Sequence, residues 1–175
     1  MLILAGPGTG QTSLVVAAVA RGASLLADGL VPLDPGDLLV HPFPKSLRLP
    51  RAALRLLDIE PSHPALSPFR TRAGEVQWRS EPRALLGPRA ARVAADIAAV
   101  VLLDASERRG DPTLTRLDPQ EAFVHLVRHL HQRPEDGPAA ADALVRLAGR
   151  APAYRLHAGS SPQASASVLD RLLLA

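Results

Sequence analysis

Residues 5–13, Ala-Gly-Pro-Gly-Thr-Gly-Gln-Thr-Ser, stand between a short apolar run, Met1 to Leu4, and a second apolar run, Leu14 to Ala20, long enough for a helix. Glycines at 6, 8 and 10 continue neither a strand nor a helix well, so a tight loop is required between the two. Strand, glycine loop and helix together turn consecutive backbone N–H groups toward an anion at the helix N-terminus. In phosphate-binding loops of this type a Lys beside the last glycine reaches the phosphates, and a Thr or Ser hydroxyl takes Mg²⁺. Here Gln11 holds the lysine position and Thr12-Ser13 the hydroxyl positions. Pro7, Gly8, Thr9, Gly10, Gln11, Thr12 and Ser13 are therefore the expected phosphate contacts, with Thr12 as the expected Mg²⁺ ligand. The alternative, a flexible turn that binds nothing, leaves the flanking strand and helix unexplained.

The first helix is expected over Thr12 to Arg21, with Gly22 as its C-terminal cap. Apolar residues at 24–27 and 30–33 flank Asp28-Gly29, and Asp34-Pro35-Gly36-Asp37 is a turn signal leading to Leu38–His41, which predicts two antiparallel strands. His41-Pro42-Phe43-Pro44 stops the second of them. Pro50 to Leu57 has the apolar spacing of a short helix, Asp58 to Pro68 reads as a loop, and the alternation around Val76 and Trp78 predicts a strand. Ile97 to Leu103 is a continuous apolar run ending at Asp104, the pattern of a buried strand, and Arg108 to Pro112 is a loop. Asp118, Pro119 and Glu121 make a strong helix start, with a helix to about Gln132. A helix over Ala139–Gly149, a strand over Tyr154–His157 and a helix over Pro162–Leu174 complete an α/β chain with a mixed sheet.

With 175 residues, 47% of them hydrophobic, the chain has the size of one domain spanning 1–175. No apolar stretch approaches the length of a bilayer span and there are no cysteines, so no membrane partner and a cytoplasmic location are expected. The net charge of +3 and the pI near 10.5 raise the question of a nucleic-acid partner. Lys45 is the only lysine, the arginines are scattered from Arg21 to Arg171, and aromatics make up 3%, so neither a basic run nor a base-stacking platform is present and no nucleic acid is expected.

Gly8-Thr9-Gly10-Gln11-Thr12, Arg21-Gly22 and Leu25-Leu26-Ala27-Asp28-Gly29 together resemble the HPr serine kinase/phosphorylase family, whose core has a GxGKS-type loop, a helix ending in Arg-Gly and a strand ending in Asp-Asp. Asp28 follows Gln11 by seventeen positions, as the first family aspartate follows the loop lysine. Pro42-Phe43-Pro44, Leu47-Arg48-Leu49, Leu117 to Ala122 and Ala151 to Leu156 extend the likeness over nearly the whole chain, to small HPr-kinase-related proteins. The resemblance implies a P-loop fold like the HPr kinase C-terminal domain and PEP carboxykinase, a mixed sheet with flanking helices, binding ATP or ADP with Mg²⁺. Strands that lie upstream of the loop in relatives are expected to be missing here. Relatives assemble, so the resemblance also implies that oligomers can form.

By the same resemblance Asp28 is the catalytic carboxylate and, with Thr12, a Mg²⁺ ligand; the second family aspartate is Gly29. Loss of the lysine leaves the backbone cradle but removes a charge that stabilises phosphoryl transfer, for which Lys45, Arg48 and Arg155 are candidate substitutes. Asp104 is the runner-up acid. His125 and His129, four apart, lack a third metal ligand at suitable spacing, His41 reads as a strand-end residue, and Trp78 reads as core. The expected protein is a nucleotide-binding relative with weak or lost transfer activity. The alternatives are an active ATP-dependent kinase acting on a Ser of a peptide or protein, and a structural domain binding nothing. HPr itself is not the expected acceptor, because the glycine- and isoleucine-rich signature that follows the nucleotide core in true HPr kinases is not found here.

Overall fold

The computed structural model describes residues 1–43, 45–106, 110–131 and 137–173, the side chain of Leu173 excepted. The chain forms two compact units whose segments interleave: one comprises Met1–Gln11, Leu33–Val40 and Ala95–Ala175, the other Thr12–Pro32 and His41–Ala94. Pro44, Arg108, Gln132 and Leu174, which mark expected boundaries, lie outside the described residues.

The first unit is built on a four-stranded mixed sheet. β1 (Leu2–Leu4) pairs parallel with β7 (Val100–Asp104), β7 pairs parallel with β9 (Ala153–His157), and β8 (Thr113–Leu117) closes the sheet antiparallel to β9. Leu4, Val100, Val101, Leu103 and Leu156 are buried, as expected of parallel strands covered on both faces. α4 (Pro119–Arg128) packs on β9 and on α5 (Gly137–Arg150), and α6 (Pro162–Leu173) packs on β8. The start of α4 follows from sequence chemistry: Asp118 accepts from the N–H groups of Gln120 (2.8 Å) and Glu121 (2.9 Å), and the Glu121 carboxylate accepts from Asp118 N–H (3.4 Å). A two-stranded ladder of β2 (Leu39–Val40) and β6 (Ala95–Asp96) also belongs to this unit.

The second unit contains α1 from Thr12 onward, the full helix running Gln11–Ala20, and a three-stranded antiparallel sheet of β3 (Leu47–Leu49), β5 (Val76–Ser80) and β4 (Ser67–Arg70). α2 (Arg51–Leu56) and α3 (Pro82–Leu86) flank it. Its core gathers Val16, Val19, Leu25, Leu47, Leu49, Leu54 and Trp78, so Trp78 is a packing residue. α1 ends as its glycine predicts: Ala23 N–H bonds to Ala18 O (3.0 Å) and Gly22 N–H to Val19 O (3.0 Å), a Schellman closure.

Most expected elements are present, with differences that have local causes. The strand expected at 24–27 shrinks to one parallel bridge, Leu25 to Ala90, and that at 30–33 to one antiparallel bridge, Leu33 to Val40. The run from Ile97 becomes a strand only at Val100, after β6 has ended at Asp96. The loop expected to Pro68 ends at Leu66, because Ser67 and Pro68 pair with Arg79 and Trp78. β3, β4, β6, β8 and α3 are additional.

Candidate functional site

The loop leaves β1 at the end of the sheet where β7 also finishes, since Leu2, Ile3 and Leu4 sit opposite Val100, Val101 and Leu102 in parallel register. Gly6 to Thr9 closes into a turn in which the Thr9 N–H (3.3 Å) and hydroxyl (2.7 Å) both donate to Gly6 O. Gly8 and Gly10 hold φ of +75° and +84°, a region that suits glycine and strains other residues. α1 begins at once at Gln11, and the first backbone N–H groups of a helix have no acceptor within it. The Gln11 carboxamide is engaged elsewhere: Nε2 donates to Ile3 O at 2.9 Å, back along β1.

Within the first unit the loop borders a cavity of about 510 Å³, lined by Pro7, Gly8 and Thr9, by the β7 end with Asp104 and Ser106, and by His125 and Arg155. Asp104 closes a local turn: its Oδ1 accepts from the Ser106 hydroxyl (2.7 Å) and the Ser106 N–H (3.0 Å), and its Oδ2 lies 3.7 Å from His157 Nδ1. The Ser106 hydroxyl, then its N–H, hold the Asp104 carboxyl below its ordinary value, with His157 and Arg155 acting in the same direction. His125 is held below its ordinary value by burial, and by the positive charge of Arg155 beside it. This cavity therefore carries an ionised carboxylate, a neutral imidazole and a guanidinium at neutral pH. Arg155 projects from β9, opposite Leu102 and Thr115, and its Nε is buried without a hydrogen-bond partner among the described residues.

Asp28 lies in the second unit, after the Leu25 bridge, with Gly29 at φ +75°. Burial raises its carboxyl above the ordinary value; the Lys45 ammonium and the Gly29 N–H oppose that shift without cancelling it. A Cβ on Gly29 would stand 3.5 Å from Lys45 Nζ, so the Lys45 ammonium lies beside this turn. Arg48 is exposed on β3, opposite Arg79. Of the three cations considered as lysine substitutes, Arg155 is the one lining the cavity beside the loop.

The two helix histidines do not face a common ligand: His129 Nδ1 lies 2.7 Å from His125 O, while the His125 side chain lines the cavity. His41 is exposed just past the end of β2. Among the described residues, no group of three or more His, Cys, Asp or Glu side chains is gathered as for a metal. A larger cavity of about 630 Å³ lies at the opposite end of β9, lined by Arg116, Asp118 and Arg150, of which Asp118 caps α4 and Arg150 bonds to Asp96 at 2.9 Å. Ser106 and His157 escape a reading of sequence alone, and His125, paired there with His129, lines the cavity instead; the spacing Asp-x-Ser at 104–106 is the one local signal, an Asx-type turn. No helix among the described residues is long and apolar enough to cross a membrane. No protein-family model, curated protein or solved structure matches the chain.

Proposed function

We propose that this chain is an HPr-kinase-like, P-loop nucleotide-binding protein of the cytoplasm, taking ATP or ADP through Pro7–Ser13 and retaining weak or no phosphoryl transfer. The observation that carries the reading is the strand–loop–helix itself, with Gly8 and Gly10 in left-handed conformations immediately before the N-terminus of α1. Such a backbone needs no particular side chain to receive a β-phosphate. Mg²⁺ would arrive on the phosphates, which commonly supply part of its shell, with the Thr12 hydroxyl as a protein ligand. Three features support weak transfer. Gln11 is uncharged and bonded to Ile3 O, Gly29 brings no carboxylate, and Asp28 is a half-buried acid with an ammonium beside it. An acid pushed toward its neutral form is a poorer metal ligand and a poorer orienter of an acceptor hydroxyl.

Calorimetric titration with Mg-ADP and Mg-ATP tests the reading. Binding of either supports it, and absence of heat with both defeats it. A second reading, an active kinase of a Ser in a peptide or protein, is favoured by Asp104, whose hydrogen bonds keep it ionised on the cavity wall. Transfer of the γ-phosphate to a serine peptide, or hydrolysis well above buffer, would establish that reading and exclude the degenerate one.

A further inference from the structure

Arginine in an interior strand is expensive unless its charge is used, because a desolvated guanidinium has to find partners for its N–H groups. Arg155 is half-buried on such a strand: β9 is flanked by β7 on one side and β8 on the other. Its neighbours in register are Leu102 and Thr115, neither of which offers a counter-charge. Its Nε is buried and unpartnered among the described residues, and an orphaned buried donor calls for an explanation. Asp104 does feel the guanidinium, yet that carboxylate accepts twice from Ser106 and has His157 at 3.7 Å.

The cavity supplies the other half of the argument. Pro7, Gly8 and Thr9 line it together with Arg155, and among its described lining residues Arg155 is the one permanent cation. Gln11, where a phosphate loop normally carries its cation, donates to Ile3 O and brings no charge. At about 510 Å³ the space is in the range of sites that hold whole small molecules. A guanidinium matches a phosphate better than an ammonium does, since two parallel N–H groups meet two oxygens.

We infer that Arg155 is the cation of this site, contacting the charged end of a di- or triphosphate in the cavity beside Pro7–Thr9 and standing in for the lysine the loop lacks. The inference rests on the phosphate-binding part of the proposed function and extends it to a residue far from the loop in sequence. It assigns the ligand class by its phosphates alone, which inorganic pyrophosphate and a nucleoside diphosphate share.

The test is equilibrium binding of pyrophosphate and of ADP, separately, to the wild-type chain, Arg155→Gln and Arg155→Lys, with thermal melts of all three. The expected result is a loss of affinity of about tenfold or more in R155Q for each ligand that the wild type binds, with R155K between the two. Unchanged affinity in R155Q overturns the inference and leaves nucleotide binding standing if ADP is bound. Arg155-dependent binding of pyrophosphate without binding of ADP upholds the inference and defeats the nucleotide reading. Failure of the wild type to bind either ligand defeats both. Should R155Q not fold, the Arg155 Nε–H resonance of the wild type decides: a shift on adding pyrophosphate supports the contact, and no shift overturns it.

Discussion

Two aspartates, Asp28 and Asp104, stand in opposite electrostatic settings. Asp104 is held below its ordinary 3.8 chiefly by the Ser106 hydroxyl, so Ser106→Ala should raise its pKa back toward 3.8, as read by carboxyl ¹³C titration. A pKa unmoved by S106A would mean that the Ser106 hydroxyl bond does not set it. Asp28 is raised above 3.8 by burial, so the folded chain holds that proton more tightly than the unfolded chain does. Linkage then fixes the sign: the stabilisation is complete below 3.8 and is lost as pH rises through the folded pKa of Asp28. Asp28→Asn imitates the protonated form and should melt higher than wild type at neutral pH, with the gap closing as pH falls below the folded pKa of Asp28. A gap that persists unchanged to acid pH would show that the charge of Asp28 is not its source. Position 11 gives a prediction of function. Gln11→Lys adds a charge-assisted contact, roughly twice as strong as a neutral one, and should raise ADP affinity measured by calorimetry. No gain in affinity or turnover would mean that the side chain at this position does not address the phosphates.

Elements differ in how openly the chain announces them, and the difference follows the range of the interactions that make them. The α4 start was fully readable, since Asp118, Pro119 and Glu121 form the cap among themselves. Asp118→Ala should cost about 1 kcal/mol in denaturant unfolding, the usual loss for such a cap; a loss near zero would mean that the Asp118 bonds are replaced by water at no cost. Gly22 and the apolar run of α1 are legible for the same local reason. β8 was not, because Thr113–Leu117 carries Arg116 and exposed threonines and becomes a strand only by pairing with β9 some forty positions on. The strand expected at 24–27 failed in the converse way: its apolar residues suit a strand, but one bridge to Ala90 is all the pairing they find. The site divides similarly. Its glycines and hydroxyls were visible in nine consecutive residues, whereas the company of Asp104 and Arg155 depends on β1 pairing with β7 and β7 with β9, and no local pattern encodes such pairings. Asp28 is set by its spacing from Gln11, whereas the neighbourhood of Asp104 is something spacing does not contain.

For the molecule as a whole, ligand recognition becomes a question of stability. A ligand that binds only the folded chain stabilises it by mass action, by about 2.7 kcal/mol at a concentration one hundred times its Kd. The unfolded chain keeps Arg155 but loses both the left-handed turn at Gly8 and Gly10 and the cavity wall, so its own affinity for phosphates is negligible by comparison. For a chain of 175 residues each kcal/mol moves the melting midpoint by about 2–4 °C, so ADP at that excess should raise it by roughly 5–11 °C. Adenosine is the informative control. On the cavity wall Asp104 is an anion, so the groups that would attract phosphate are Arg155 and the loop backbone, neither of which would address base or sugar. Adenosine at the same concentration should therefore leave the midpoint where it is, and pyrophosphate should reproduce part of the ADP shift. Equal shifts from adenosine and ADP would mean that the nucleoside, not the phosphate chain, is what this protein recognises, and the loop would lose its claim to be the binding element.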